Sequence, residues 1–292
     1  MSKSKQADRS LHMVVGHREN AFWSFWKILI LLFGLIIILG PMYLVVANSF
    51  KTLDEASQNF FALPQHFSLD NIKELVTSQN YFMYVGNSFY VSVVSMVLVT
   101  IFVPMVSYAL ARNLNRRYYN FLYHYVMLGL FIPSQVIMLP IVKQMSSLNL
   151  MNHVGLILLY VTFSLTRGVF LFVNYIRALP VEVEEAARID GCNVLQTYFK
   201  VVIHLIRPMI ATLVIMDFLW YWNDFQLPLF ILNKSRSLWT LPLFQYNFKT
   251  EYSFDYPMAF TAYLVALVPV LVVYCACQKH IINGLTAGAV KS

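Results

Sequence analysis

What this sequence lacks most is charge. Asp, Glu, Lys and Arg make up 12% of its 292 residues, while 59% are hydrophobic. A soluble domain carries about 25% charge, and a water-soluble fold of this length has too little interior to hide so much apolar surface. Cysteine is also scarce. Cys192, Cys275 and Cys277 form neither a CxxC pair nor a zinc cluster, so no metal is expected. No G-x-x-x-x-G-K-[ST] loop occurs, which argues against a nucleotide site in this chain. No lipidation box opens it. The formal net charge of +7 comes without a soluble aromatic surface beside it. That argues against nucleic acid as a partner and for basic loops at lipid headgroups.

What is present is a series of long uncharged runs. Several exceed the roughly 18 residues that suggest a bilayer span. Six spans are expected: 28–47, 85–111, 121–142, 153–173 (interrupted by Arg167), 209–232 and 257–278. The first run is too long for a signal segment and reads as a retained anchor. The N-terminal tail, 1–27, carries Lys3, Lys5, Arg9, Arg18 and Lys27 against Asp8 and Glu19. Arg112, Arg116 and Arg117 follow span two with no acid among them. Loop 48–84 has Lys51 and Lys73 against Asp54, Glu55, Asp70 and Glu74. The positive-inside bias therefore predicts cytoplasmic termini, including tail 279–292, and an extracytoplasmic 48–84 loop. The core of five helices then covers 85–278. Pro104, Pro133, Pro140, Pro208 and Pro269 suit a bundle that bends around a pathway.

By the same alternation, loop 174–208 is cytoplasmic. It holds EEAARIDG, Glu184 to Gly191, where three acids and an arginine gather in eight residues. Pro180 suits a helix start, and Glu182, Glu184 and Glu185 favour its positive end. Glu184 and Arg188 are spaced to pair along one face. Ala186, Ala187 and Ile189 supply a small apolar surface. Asp190 leads into Gly191, which permits a left-handed turn. A second helix from about Val194 is expected to run rigidly into span five. Such an element could pass a push from a cytoplasmic partner into the bilayer, or lie on the headgroups.

Span five carries Asp217, an intramembrane acid of the kind that faces a bundle interior. Asp224 follows seven residues later on about the same face, and Tyr221, Trp222 and Asn223 add amphipathic surface. These five residues are candidates for a pathway lining or for a subunit interface in which the acids pair with another chain.

The ordered motifs resemble the permease subunits of binding-protein-dependent ABC importers, in the carbohydrate group similar to the maltose permease's shorter subunit. Glu185-Ala186-Ala187 and Gly191 match the opening of that family's cytoplasmic loop. Val201 and Ile203 fall on its two apolar positions, and His204 stands where it has proline. Asn48-Ser49-Phe50-Lys51, Asn87-Ser88, Tyr108-Ala109-Leu110-Ala111-Arg112, Ile132-Pro133-Ser134-Gln135, Trp222-Asn223-Asp224-Phe225 and the tail from Gly284 to Lys291 extend the likeness. The resemblance implies an all-α polytopic fold of six transmembrane helices, the MetI-like type I importer permease. It implies a second homologous permease, an ABC ATPase dimer on the cytoplasmic side with 182–191 docked in a groove of one copy, an extracytoplasmic solute-binding protein and a sugar substrate. ATP hydrolysis would belong to the partner, and no cofactor is implied here. An ion- or proton-coupled carrier, expected to show inverted repeats and broken helices, and a non-transporting scaffold are the rival readings.

Overall fold

A computed structural model describes residues 21–78, 80–246 and 255–289. The charges expected at 3–19 and the last residues of the closing motif lie outside the described residues, as do the side chains beyond Cys275. The described elements are helices joined by turns. In chain order they begin with α1 (Ala21–Ser49), α2 (Leu53–Gln58), α3 (Asp70–Ser78) and α4 (Tyr81–Ala111). Next come α5 (Arg117–Phe131), α6 (Ser134–Ser147), α7 (His153–Arg177) and α8 (Glu182–Ile189). The chain continues with α9 (Val194–Leu205), α10 (Arg207–Asn223), α11 (Gln226–Leu232), α12 (Leu241–Tyr246) and α13 (Tyr256–Ala289).

By length and composition α1, α4 and α7 can each cross a membrane unbroken. Two bent pairs, α5 with α6 at 105° and α9 with α10 at 74°, bring the candidates to five if each pair is one span. The apolar stretch of α13 described at Tyr256–Val272 is shorter, and the helix itself continues to Ala289.

Three of the expected runs are broken, each beside a proline. Span three is not one helix from 121 to 142. Pro133 disfavours helical backbone at Ile132, which sits at φ −90°, ψ 112°. Span five does not continue to 232. Its helix ends at Asn223, Asp224 is extended at ψ 125°, and Pro228 has no N–H to return to the Asp224 carbonyl. The helix from Val194 does not run rigidly into span five either. Residues Tyr198–Val202 form a wide π turn, Ile206 leaves helical geometry, and Pro208 opens a new helix after the 74° bend. Pro104, Pro140 and Pro269 are absorbed within their helices.

α4 and α7 lie side by side and run parallel. Tyr90 meets His153 near one end, and Arg112 reaches the Leu179 carbonyl at the other. Gly168 makes their approach possible, since a Cβ there would lie 2.6 Å from Val103 Cγ1. Two apolar cores fill the bundle. One, around Tyr84, Tyr160, Trp222 and Phe244, lies toward the His153 end. The other, around Val103, Phe172, Tyr198 and Val202, lies toward the Arg177 end. α1 instead exposes apolar side chains along most of its length, Leu31 at 71% among them. A helix apolar all round and so little covered needs lipid or another chain as its solvent.

Loop 48–84 is built rather than loose. Lys51 is 1% exposed, and its Nζ donates to the carbonyls of Asn59 (3.0 Å) and Phe60 (3.2 Å) and to Asn48 Oδ1 (3.3 Å). Asn71 donates to the Ser49 and Lys51 carbonyls, and Thr261 of α13 donates to that of Ser49. The Asn48 to Lys51 motif is thus a polar knot tying the end of α1 to α13.

Candidate functional site

The acidic helix α8 divides its residues between two faces. Glu182, Glu184 and Glu185 occupy its first turn. Glu184 is 2% exposed and turned inward. Its Oε1 accepts from Arg112 Nε (2.9 Å) and Nη2 (2.7 Å), and its Oε2 accepts from the Tyr108 hydroxyl (2.9 Å). The expected Glu184–Arg188 pairing gives way to this one. Partners at the end of α4 satisfy both carboxylate oxygens, and a buried acid needs that more than a surface i,i+4 contact. Ala187 is buried beside Glu184, while Glu185, Ala186 and Asp190 are exposed and Arg188, also exposed, reaches back toward the Tyr108 hydroxyl. Ile189 is 86% exposed, a bare apolar side chain on a charged surface.

The exit from α8 is fixed by backbone geometry. Gly191 has φ +86°. Its N–H donates to the Arg188 carbonyl and that of Cys192 to the Ala187 carbonyl, both at 3.0 Å. That paired pattern ends a helix with a left-handed residue, where glycine carries no Cβ penalty. A reciprocal cap between Asn193 and Gln196 then starts α9.

Inside the bundle, α7 and α10 run antiparallel and meet along a polar seam. Tyr160, Ser164 and Arg167 on α7 face Asp224, Tyr221 and Asp217 in turn. The Tyr160 hydroxyl donates to Asp224 Oδ2 (2.9 Å), and Ser164 Oγ and the Tyr221 hydroxyl lie 2.6 Å apart. Arg167 Nη2 donates to Asp217 Oδ1 in an ion pair whose acid is buried and whose arginine is about one-third exposed. Seven residues separate the outer members on each helix, about 10.5 Å at 1.5 Å per residue, so the register holds at both ends. Tyr160 stacks on Tyr221 at 4.6 Å, and the Arg167 guanidinium lies 5.0 Å from the Trp220 ring.

The five candidates of span five therefore separate. Asp217 and Tyr221 belong to the seam. Asp217 pairs with an arginine of its own chain through Oδ1. Asp224 sits just past the helix, with its Oδ1 accepting from the Gln226 N–H. Trp222 is buried against Phe218. Asn223 is exposed and, with Trp222, Tyr246 and Tyr263, lines an apolar hollow of about 580 Å³. Sequence reasoning did not pair Arg167 and Tyr160 with these acids. The signal was present in Arg167, the one charge interrupting span four, and in the matched seven-residue spacing. Nor did it give Asn87 and Ser88 a task. Asn87 donates to the Ser237 and Trp239 carbonyls, and Ser88 Oγ accepts the Leu241 N–H, which fastens loop 233–241 to α4.

Among the described residues the chain is a bundle of helices with broken apolar spans and an inward-clamped acidic loop helix. Residues 103–286 match the family of binding-protein-dependent transport system inner membrane components, and the chain belongs to that family. It is a multi-pass permease of a binding-protein-dependent importer. The multiple sugar-binding transport system permease protein MsmG of Streptococcus mutans serotype c is 45% identical over 276 residues, 94% of this chain and 99% of its own. The diacetylchitobiose uptake system permease protein NgcG of Streptomyces coelicolor is 36% identical over 92% of this chain and 89% of its own. A crystal structure of a bacterial ABC transporter involved in the import of the acidic polysaccharide alginate superposes with a TM-score of 0.79. It covers 90% of this chain and 98% of its own at 20% identity, a likeness of fold. The broken helices that would have favoured a secondary carrier thus occur in an importer permease.

Proposed function

We propose that this chain forms, with a second homologous permease, the transmembrane pathway of an ABC importer for a sugar or oligosaccharide. An extracytoplasmic solute-binding protein delivers the cargo, and α8 docks in a groove of one copy of an ABC ATPase dimer that supplies the energy. Both termini and α8 face the cytoplasm. Glu185, Ala186, Arg188, Ile189 and Asp190 form the surface offered to the ATPase. Glu184 and Ala187 hold that surface to the bundle, and Gly191 sets its exit. Asp217, Tyr221 and Asp224 stiffen the wall of the pathway, while Trp222 and Asn223 border the hollow that faces the partner permease. The sugar assignment is supported by the relatives described above. The observation that carries the docking assignment is the two-faced geometry of α8, clamped inward at Glu184 and bare outward at Ile189.

The test is Gly191→Val in the complete importer. The pathway residues are untouched, and the side chain enters open space, so the strain lies in the φ +86° backbone. Membrane abundance should stay near wild type, with uptake at least tenfold lower and ATPase activity no longer stimulated by the loaded binding protein. Normal uptake with normal stimulation would overturn the docking assignment.

A further inference from the structure

Two helix breaks converge on one polar cavity. α5 turns into α6 at Ile132 and Pro133, and α10 gives way to α11 at Asp224 and Phe225. Between them lies a hollow of about 410 Å³ whose polar lining includes Gln135, Thr166, Arg167, Trp220, Asp224 and Gln226. Arg167 lies ten residues from the Arg177 end of α7, and Asp224 one residue past the 17-residue α10. At 1.5 Å per residue those depths are about 15 Å and 25 Å, inside a hydrocarbon core about 30 Å thick. Irregular backbone and ionised side chains at such depth are tolerated where they line a wet cavity or are buried in protein. This hollow is built to hold something polar.

Its chemistry narrows what that is. Arg167 bonds Asp217 and Ser164 through Nη2, which leaves N–H groups on its other nitrogens without hydrogen-bond partners among the described residues. A guanidinium carries five such donors. Asp224 accepts from the Tyr160 hydroxyl and from the Gln226 N–H, with the Leu227 N–H also beside its carboxylate, and keeps a lone pair to spare. Gln135, whose Oε1 accepts from Ser134 Oγ, and Gln226 add amide donors and acceptors, and the Trp220 indole, with the Arg167 guanidinium over one face, offers its other face as a flat surface. Free donors, free acceptors and an aromatic face together suit a polyhydroxylated ring. The Arg167 charge is balanced by Asp217, so Asp224 is left as the net charge and disfavours an anionic ligand.

We infer that this cavity is a sugar subsite within this single subunit, taking one uncharged hexose ring against Trp220 with hydroxyls bonded to Asp224, Arg167 and Gln135. The inference rests on the importer reading and adds a place for the cargo to it.

The experiment uses the full chain, assembled with its partner permease and ATPase in lipid nanodiscs. Saturation-transfer NMR is recorded with maltose, raffinose, lactose and methyl α-glucoside, and with glucuronate as the anionic comparison. Ring protons of at least one neutral sugar should receive saturation, and glucuronate should receive little. Trp220→Leu and Asp224→Ala should weaken the signal at least tenfold, while the outward-facing control Leu31→Ala leaves it unchanged. Should either variant fail to assemble, Gln135→Leu and Gln226→Leu serve, since neither side chain holds the seam together. Absence of transfer to every neutral sugar, or equal transfer in the assembled variants, overturns the subsite. ATP-driven sugar uptake with no transfer would sink the subsite and leave the importer standing. Transfer without ATP-driven uptake of any of these sugars would do the reverse.

Discussion

Glu184 and Asp217 are both buried acids facing an arginine from a neighbouring helix, yet they are satisfied differently. Glu184, at the rim of the bundle, accepts from Arg112 and Tyr108 with both oxygens engaged. Asp217, about 15 Å into α10, engages Oδ1 with Arg167, and its Oδ2 has no hydrogen-bond partner among the described residues. A closed set of bonds makes a joint that transmits force without rearranging. An incompletely satisfied carboxylate in a low-dielectric interior leans on its one cation. The rim pair is therefore a fixture of α8, and the interior pair is where the bundle's packing is most exposed to a single loss.

That contrast can be broken most severely at Arg167. Arg167→Leu strands the Asp217 carboxylate, and removing one partner of a buried pair costs about 3–5 kcal/mol. The lower end is expected because Arg167 is about one-third exposed. The assembled protein should melt early in detergent, and adding Asp217→Leu should recover much of the loss. No recovery would mean that the pair is not the cause. Glu184→Ala should come next, at roughly 2 kcal/mol for leaving Arg112 and Tyr108 without their acceptor. Its signature differs from that of the interior pair: ATPase activity persists while uptake falls, measured side by side in proteoliposomes. A proportional fall in both would make Glu184 a stability residue and no more.

Gly168→Val tests whether close packing of α4 on α7 holds both pairs in place. The added Cβ meets Val103 Cγ1 at 2.6 Å, and overpacking of this kind costs about 1–3 kcal/mol. Thermal stability should fall and be partly restored by Val103→Ala. The smallest effect belongs to Gly191→Ala, about 1 kcal/mol for placing a Cβ in the left-handed region. Gly191→Asn should lose less uptake than Gly191→Ala, because asparagine tolerates that conformation. The opposite order would point to a contact at residue 191 rather than its backbone.

Much of this was legible in the sequence, and the failures share a cause. Apolar runs and charge scarcity revealed the spans, because lipid imposes its length and polarity on each segment separately. The Glu182 to Gly191 helix with its glycine exit was equally readable, since caps and first-turn acids are local. The partners of the acids were not. Glu184 finds Arg112 and Tyr108, 72 and 76 residues away, and Asp217 finds Arg167, 50 residues away. Pairings of that kind are decided by helix register, which local spacing does not encode. The prolines were readable as bends, but which of them would break a helix was not. Pro104 is absorbed in an unbroken helix while Pro133 breaks one, and neighbouring contacts rather than residue type make that difference.

α4 holds a further consequence. It runs unbroken for 31 residues, about 46 Å, with Arg112 gripping α8 just past one end and Asn87 and Ser88 gripping loop 233–241 near the other. On the proposed docking reading, one stiff rod joins the surface where force arrives to the surface where cargo is received. Communication across the membrane then needs no relay of side-chain changes. A tilt of α4 by a few degrees would displace its far end by several ångströms, so the timing of the two faces is a matter of leverage and stiffness.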